Sequence, residues 1–280
     1  MRVIVNILTS VAIAYAVVLL LVFLFQPRLI YFPQVERELT TTPRAASLDY
    51  EDVTLHTADG VRLHGWWVPA RDARGTVLLM HGNAGNISHR LGYLTMFSRL
   101  GYSVLLFDYR GYGKSGGSPD EEGTYRDAEA AWQHLTEARK LKPQDIVLVG
   151  ESLGGGVATW LAFKYPPRAL VLASTFTSVP DMGAQVYPWL PVRLLARIVY
   201  DNLARIREIK VPVLIAHSRG DDIIPFAHGQ ALFAAAHEPK QFLELAGGHN
   251  GGFLFTREEW IAAVGAFLER AANGSRNGSS

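Results

Sequence analysis

Residues 146–160 read IVLVGESLGGGVATW, and this stretch decides the fold. An apolar run leads into four glycines grouped around one serine, Ser152, and a helix-like sequence follows. A glycine-rich turn between a strand and a helix can cradle a phosphate, bind a dinucleotide or hold up a nucleophile. The stretch alone does not choose among these three uses, so the choice depends on the rest of the chain.

The composition of the chain excludes several classes of protein and of functional site. The chain has 280 residues, 49% of them hydrophobic, which is enough for one large domain or two small ones. The net charge of +1 is spread along the chain and argues against nucleic acid as a partner, since phosphate binding needs a concentrated basic surface. The absence of cysteine excludes disulfides, thiolate metal sites and a cysteine nucleophile.

The N-terminal segment differs from everything after it. Residues 3–25 contain 23 consecutive residues without a charge, long enough for a helix to cross the roughly 30 Å hydrocarbon core of a bilayer. A cleaved signal peptide and a buried core helix are the alternatives. The apolar run is longer than the usual core of a signal peptide, and no small-residue cleavage site follows it. We therefore predict a single-pass membrane anchor. Arginines on both sides of the run leave the side of the membrane open.

The sequence after residue 25 predicts a linker (26–49), a folded domain (50–271) and a flexible polar tail (272–280). In the domain, short apolar runs alternate with helical patterns, which is typical of an α/β fold with a mostly parallel sheet and helices on both faces. The predicted strands are 76–80, 103–107, 146–149, 169–173, 212–216 and 242–245, and the predicted helices are 87–100, 121–141, 153–164, 227–236 and 257–270. An aromatic, partly helical insertion at 179–206 predicts a small cap.

Two of the three uses of the glycine turn fail on spacing. The segment Gly113-Lys114-Ser115 resembles the end of a phosphate-binding loop, but the glycine required five positions earlier is Asp108. Around Ser152, the third glycine of a dinucleotide fingerprint would fall at Thr159. A phosphate site and a dinucleotide site are therefore not expected.

The third use fits. Residues 150–154 form G-x-S-x-G between a predicted strand and a predicted helix, the context in which a serine hydroxyl is lifted clear of the sheet. A serine nucleophile needs a histidine base and an acid that orients it. His249 follows the last predicted strand, and Asp221 and Asp222 follow the strand before it, which gives the chain order Ser, Asp, His. Spacing favours Asp221 over Asp222 without excluding either.

An oxyanion hole needs two backbone N–H groups. Leu153 follows the nucleophile, and Asn83 lies in the loop after an early strand, so these two are the predicted donors. His81, in the same loop, is predicted to be structural rather than a second base. The remaining histidines lack metal-ligand spacing, so neither a metal nor another cofactor is expected.

At this point the sequence resembles the α/β-hydrolase superfamily over residues 50–271. The resemblance rests on HGNAGN, FDYRGYGKSGG, GESLGGG, GDDIIP and GGHN, in that order. More narrowly, the chain is similar to N-terminally membrane-anchored serine hydrolases of the serine-aminopeptidase-like branch. The resemblance favours Asp221 as the acid and implies that Asp108 belongs to a structural loop beside the pocket. The activities of the family include esterases, thioesterases, lipases and peptidases.

These features predict a serine hydrolase that transfers acyl groups to water. The membrane anchor and the apolar cap favour ester or thioester substrates with an acyl or lipid-like character. A peptidase is an alternative, with Arg193, Arg197, Asp201 and Glu151 as candidates to hold a substrate terminus, and so is a catalytically silent anchored binding module. The oligomeric state is open. Candidates for the acyl pocket, unless they only pack the cap onto the domain, are Phe176, Met182, Val186, Tyr187, Trp189, Leu190 and Phe253.

Overall fold

The computed structural model describes the backbone of residues 1–277 and the side chains of residues 1–274. Its strands are β1 (Glu51–His56), β2 (Arg62–Val68), β3 (Thr76–Met80), β4 (Ser103–Phe107), β5 (Ile146–Glu151), β6 (Ala169–Ala173), β7 (Val213–Ser218) and β8 (Lys240–Leu245). They form one sheet in the order β1-β2-β4-β3-β5-β6-β7-β8. β2 is antiparallel to β1 and to β4, and the other neighbouring strands are parallel. The predicted α/β class is confirmed.

Helices cover both faces of this sheet. They are α1 (Arg2–Ile30), α2 (Leu91–Arg99), α3 (Glu121–Gln133), α4 (Leu153–Lys164), α5 (Val179–Val186), α6 (Val192–Leu195), α7 (Asn202–Ile206), α8 (Phe226–Ala235) and α9 (Glu258–Asn277). Every residue of β3, β4, β5 and β6 is buried. Alternate residues of these strands pack into two core clusters, one with α3 and α4, the other with α2 and α9. This two-sided burial is why the sequence of each central strand is almost continuously apolar.

The N-terminal helix is longer than the predicted anchor. α1 continues to Ile30, five residues beyond the predicted end at Phe25, so the predicted linker begins as helix. Phe25 has non-helical angles (φ −106°, ψ 17°), and Pro27 follows it. Proline lacks an N–H and its ring crowds the carbonyl four residues earlier, which bends a helix at this point. α1 therefore consists of an exposed apolar stretch and a short turn that packs against the domain.

The C-terminal prediction also differs from the structure. Helix α9 continues to Asn277, although the polar tail was predicted from residue 272. Ala271 and Ala272 favour helix, so the preceding helix extends through them and offsets the weaker helix formers that follow. Residues 278–280 of the predicted tail lie outside the described residues.

The insertion between β6 and β7, residues 179–206, is called the cap segment here. It contains α5, α6 and α7. Its two ends are fixed by helix caps, because Ser178 accepts from the Asp181 N–H and Asp201 accepts from the Ala204 N–H. Near its end, the buried Tyr200 hydroxyl lies between the hydroxyls of Tyr31 (2.8 Å) and Thr124 (2.7 Å). The cap segment is thus joined both to the domain and to the junction after α1.

Candidate active site

Ser152 occupies the turn between β5 and α4. Its backbone has φ +52° and ψ −117°, a conformation that L-residues rarely adopt and that must be held by its surroundings. The Ser152 N–H donates to the Ala173 carbonyl (2.9 Å), and the Thr175 hydroxyl donates to the Ser152 carbonyl (2.7 Å). These two bonds from the neighbouring strand end fix the serine in the strained turn.

The flanking glycines are required by close backbone contacts. A Cβ at Gly154 would lie 2.1 Å from the Met80 carbonyl oxygen, and a Cβ at Gly150 would lie 2.5 Å from the Gly154 carbonyl oxygen. Neither position can hold a larger residue unless the backbone moves. The G-x-S-x-G pattern in this chain is therefore a packing requirement of a turn pressed between two strands and a helix.

Three side chains that are distant in sequence meet at this turn. His249 Nε2 lies 3.0 Å from the Ser152 Oγ. On the other side of the ring, His249 Nδ1 lies 3.0 and 2.9 Å from the two carboxylate oxygens of Asp221. The Asp221 carboxylate is fully buried, and the His249 side chain is 9% exposed. A serine hydroxyl, an imidazole and a carboxylate are thus connected by hydrogen bonds in one line.

The carboxylate of Asp221 is held in its ionised form. Burial alone would raise the pKa of this carboxyl, but hydrogen bonds from His249 and from the Ile224 and Ile223 N–H groups hold its pKa below the ordinary value. An ionised acceptor at this place requires the His249 Nδ1 to carry the proton, which leaves Nε2 free to accept one from the serine.

The neighbouring Asp222 has a different position. Its carboxylate accepts the backbone N–H of His249 (2.8 Å), and this bond lowers the pKa of Asp222. A Cβ at Gly248 would lie 2.8 Å from Asp222 Oδ1, so the carboxylate is packed against the histidine loop. Asp222 therefore fixes the loop backbone, and Asp221 is the acid that contacts the ring.

The two predicted oxyanion donors flank the serine. Leu153 is the first residue of α4, so its N–H has no acceptor within the helix. A Cβ at Gly82 would lie 3.3 Å from the Ser152 Cβ, which places the loop after β3 directly against the serine. Asn83 follows Gly82. Among the described residues, the backbone N–H of Asn83 has no hydrogen-bond acceptor, so it is free to donate to a substrate oxygen.

A family model described as alpha/beta hydrolase fold matches residues 75–207. The Mycobacterium tuberculosis protein Rv2307c is 41% identical over 267 residues, 94% of each chain. The alpha/beta hydrolase domain-containing protein WAV2 of Arabidopsis thaliana is 36% identical over 89% of each chain. This chain belongs to the α/β-hydrolase superfamily. Among solved structures, the Pyrococcus furiosus esterase Pf2001 aligns with a TM-score of 0.67 and 26% identity, over 82% of this chain and 94% of the esterase.

In this α/β hydrolase the predicted pocket residues do not share one surface. Tyr187, Trp189 and Leu190 line a cavity of about 330 Å³ between α1 and the cap segment, and none of Ser152, Asp221 and His249 lines it. The other four residues of the prediction lie elsewhere. Phe176 and Met182 pack into the core, Val186 is exposed, and Phe253 stacks on Phe255.

These seven residues therefore do not line one cavity in the described structure, and their contribution to an acyl pocket stays a prediction. The physical reason is that α1 covers one side of the cap segment and divides its apolar residues among three environments: the cavity, the core and the surface. The side chains that line the cavity from α1 include Val22, Leu29 and Ile30, and the sequence patterns gave no indication of this contact.

His217 is a further residue at this hydrolase site that sequence reasoning missed. Its Nε2 lies 2.9 Å from the Ile224 carbonyl oxygen and 3.5 Å from Asp221 Oδ2. The shorter distance makes the Ile224 carbonyl the hydrogen-bond partner of His217. Burial lowers the pKa of His217, so the ring is neutral and supports the acid loop without adding a charge. Its place in the sequence could have indicated this role, since His217 lies in β7 four residues before Asp221.

His81 and Asp108 form a second buried pair behind the loop after β3 (residues 81–86), which carries the predicted oxyanion donor Asn83 and is called the oxyanion loop here. His81 Nδ1 lies 2.7 Å from the Gly82 carbonyl oxygen, and its Nε2 lies 3.6 Å from Asp108 Oδ1. Burial lowers the pKa of His81 to about 3 and raises the pKa of Asp108 to about 7. His81 is therefore a neutral residue that holds its own loop. Within residues 1–277, no three His, Cys, Asp or Glu side chains are grouped to hold a metal ion; the expected absence of metal and cofactor stays a prediction.

Proposed function

We propose that this protein is a membrane-anchored serine hydrolase that cleaves carboxylic ester or thioester bonds of acyl or lipid-like substrates. The observation that carries the proposal is the hydrogen-bonded line of Ser152, His249 and Asp221 at a strained strand-to-helix turn. The alignment with an esterase at 26% identity supports the same class of reaction.

The reaction follows from the geometry. His249 Nε2 takes the proton of the Ser152 hydroxyl while Oγ attacks the substrate carbonyl carbon. The oxygen of the tetrahedral intermediate is stabilised by the N–H groups of Leu153 and Asn83, and the Asp221 carboxylate stabilises the imidazolium. His249 then gives the proton to the departing alcohol or thiol. Water, deprotonated by His249 in turn, hydrolyses the acyl-enzyme and releases the acid.

The membrane anchor is α1. An 18-residue stretch of this helix has a mean hydropathy of 2.8, and none of that stretch is buried within the protein. A helix of this length and composition gains free energy when a bilayer covers it. The tether holds the serine near esters that reside in membranes, which favours lipid-like substrates over soluble ones.

The peptidase alternative is less favoured because all four of its candidate charges already have partners, the Arg197 guanidinium lying over the Phe23 ring at 5.1 Å. Glu151 is buried with Arg90 Nε 3.7 Å from its carboxylate, and Arg193 pairs with Asp181 at 2.9 Å. Asp201 accepts the Ala204 N–H as a helix cap. A substrate terminus would have to compete with these bonds.

The binding-module alternative is tested by labelling. The wild-type protein should react with a fluorophosphonate probe, and Ser152→Ala should abolish both labelling and ester hydrolysis, the latter by on the order of 10⁶-fold. Labelling in sided membrane vesicles also determines which side the domain occupies. Labelling that persists in Ser152→Ala would refute the assignment of Ser152 as the nucleophile.

A matched pair tests the acid. Asp221→Asn should reduce kcat by about 10⁴-fold, because the neutral amide no longer selects the required tautomer. Asp222→Asn still accepts the His249 N–H and should lose less than about tenfold. A larger loss in Asp222→Asn than in Asp221→Asn would contradict the assignment. Esters of increasing acyl length, compared with aminoacyl-naphthylamides, separate esterase from peptidase activity; preference for the amides would overturn the substrate class.

A further inference from the structure

The cap segment is bonded to α1 at two widely separated levels. Near the domain, Gln26 is buried, its side chain donating to the Leu195 carbonyl (2.5 Å) and accepting the Arg197 N–H (2.7 Å). Far along the helix, the Tyr15 hydroxyl donates to the Trp189 carbonyl (2.9 Å). Tyr15 and Gln26 are separated by about 16 Å along a helix that rises 1.5 Å per residue. The cap segment thus follows α1 well into its apolar stretch.

This contact conflicts with a cap that stays in water. Residues 2–14, on the far side of Tyr15, provide only about 20 Å of helix, whereas the hydrocarbon core is about 30 Å thick. For α1 to cross the core, the level of Tyr15 must lie roughly 10 Å below the bilayer surface on the side of the domain. The Trp189 backbone lies at that level, within the reach of the tyrosine side chain.

The edge of the cap segment has the surface that such a depth requires. Its exposed residues there are apolar: Val186, Tyr187, Trp189 and Leu194 are 53%, 50%, 60% and 87% exposed. This apolar edge continues the apolar surface of α1 through the Tyr15 contact. From 186 to 200 the chain contains no acidic residue. Arg193 pairs with Asp181 outside this range, and the exposed Arg197 adds a positive charge complementary to lipid phosphates.

From this we infer that the edge of the cap segment around Trp189 inserts into the acyl layer of the leaflet that faces the domain, as a second membrane contact beside α1. The inference rests on the proposed membrane anchoring. It places the 330 Å³ cavity between α1 and the cap segment at the level of lipid acyl chains. The apolar edge is then covered by lipid, and an amphipathic surface at a depth of about 5–10 Å is a known mode of membrane contact.

The absence of cysteine makes a direct test possible. Single cysteines are introduced as Trp189→Cys, Leu8→Cys and Gln144→Cys and carry a nitroxide label. The Tyr15 bond survives the first substitution, because its acceptor is the backbone carbonyl of residue 189. Leu8 is an exposed residue of α1, and Gln144 is exposed at the opposite end of the sheet. Full-length protein is reconstituted in phosphatidylcholine–phosphatidylglycerol vesicles, and accessibility to oxygen and to a water-soluble nickel chelate is measured.

We expect the labels at 189 and 8 to be accessible to oxygen and protected from the chelate, with the reverse at 144. Leu194→Cys provides a second reporter if Trp189→Cys does not fold, as judged by circular dichroism. A chelate-accessible label at 189, or at 194 in its place, together with a protected label at 8, overturns insertion of the cap and leaves the anchor intact. Chelate access at 8 overturns the membrane anchor itself.

Discussion

The side chain of Asn83 connects the end of α1 to the oxyanion loop, and its removal should slow catalysis. Its Oδ1 accepts the Phe32 N–H (3.2 Å), the Ala84 N–H (3.0 Å) and the Tyr112 hydroxyl (2.7 Å), and its Nδ2 donates to the Ile30 carbonyl. The backbone N–H of the same residue is the proposed oxyanion donor. The side chain bonds therefore determine where that donor points.

The expected losses of stability and of kcat in Asn83→Ala follow from these hydrogen bonds. Each is worth a net 0.5–1.5 kcal/mol, so the loss of all four reduces the free energy of unfolding by about 2–6 kcal/mol. Complete loss of an oxyanion donor costs about 3–4 kcal/mol in the transition state. A donor that is loosened but still present should lose about half of this, which corresponds to about 10- to 30-fold in kcat. KM should change little, because this bond strengthens only in the transition state.

The assay is steady-state hydrolysis of a chromogenic ester, with thermal unfolding measured in parallel. Asn83→Asp retains the acceptor for Phe32 and Tyr112 and loses the donor to Ile30, and Tyr112→Phe removes one bond only. The expected loss in kcat is largest for the alanine variant and smallest for Tyr112→Phe. The reasoning is refuted if Asn83→Ala retains kcat within about twofold, or if the variant raises KM alone, which would indicate uniform binding.

Two further predictions concern packing and pH. Gly154→Ala should prevent folding or abolish expression of soluble enzyme, because its Cβ would lie 2.1 Å from the Met80 carbonyl oxygen; Gly274→Ala, with no atom within 4 Å of its Cβ, should raise the melting temperature slightly. For Asp108, burial raises the folded-state pKa to about 7 from an ordinary 3.8, so the folded state retains a proton that the unfolded state has lost. The free energy of unfolding should therefore fall by up to about 4 kcal/mol as pH rises from about 4 to about 7, and Asp108→Asn should remove this part of the slope in denaturant titrations.

Specific outcomes would contradict these two predictions. A Gly154→Ala variant with wild-type melting temperature would mean that the turn does not press on β3. For Asp108, the comparison is the difference between wild type and variant, because the buried Asp127, whose pKa burial raises to about 6, contributes a slope of the same sign. An unchanged slope in Asp108→Asn would mean that its carboxyl is ionised across this range.

Local patterning predicts the framework because each element is decided by its own residues. β3, β4 and β6 have the predicted bounds because each contains a run of four or five apolar residues. A strand buried on both faces lacks the polar alternation that makes the ends of other strands hard to predict. Helix α4 has the predicted bounds because a glycine turn precedes it. His249 and the pair Asp221 and Asp222 were predicted from their order after successive strands, with the family resemblance favouring Asp221, and the structure places His249 and Asp221 beside Ser152.

Contacts between distant segments could not be predicted in the same way. The Tyr15 hydroxyl donates to the Trp189 carbonyl, and the two residues are 174 positions apart in the sequence. Because every residue has a backbone carbonyl, the identity of residue 189 gives no indication of this bond. The same holds for Gln26, a polar residue that pattern reasoning assigns to a linker but whose amide satisfies two backbone groups of the cap segment. The residues predicted to share one pocket are separated in the structure for the same reason, because apolar residues identify a surface without identifying what covers it.

The junction after α1 is consequently part of the folded domain and more than a tether. Tyr31 is buried and bonds to Tyr200 at the end of the cap segment, while Asn83 bonds to the residues on either side of Tyr31. The oxyanion loop and the cap segment thus share one point of attachment, and that point is the end of the helix proposed to lie in the membrane. A displacement of α1 relative to the domain would have to break polar contacts of both the loop and the cap segment. The position of the anchor and the geometry of the proposed oxyanion hole are therefore coupled through three consecutive residues, Ile30, Tyr31 and Phe32.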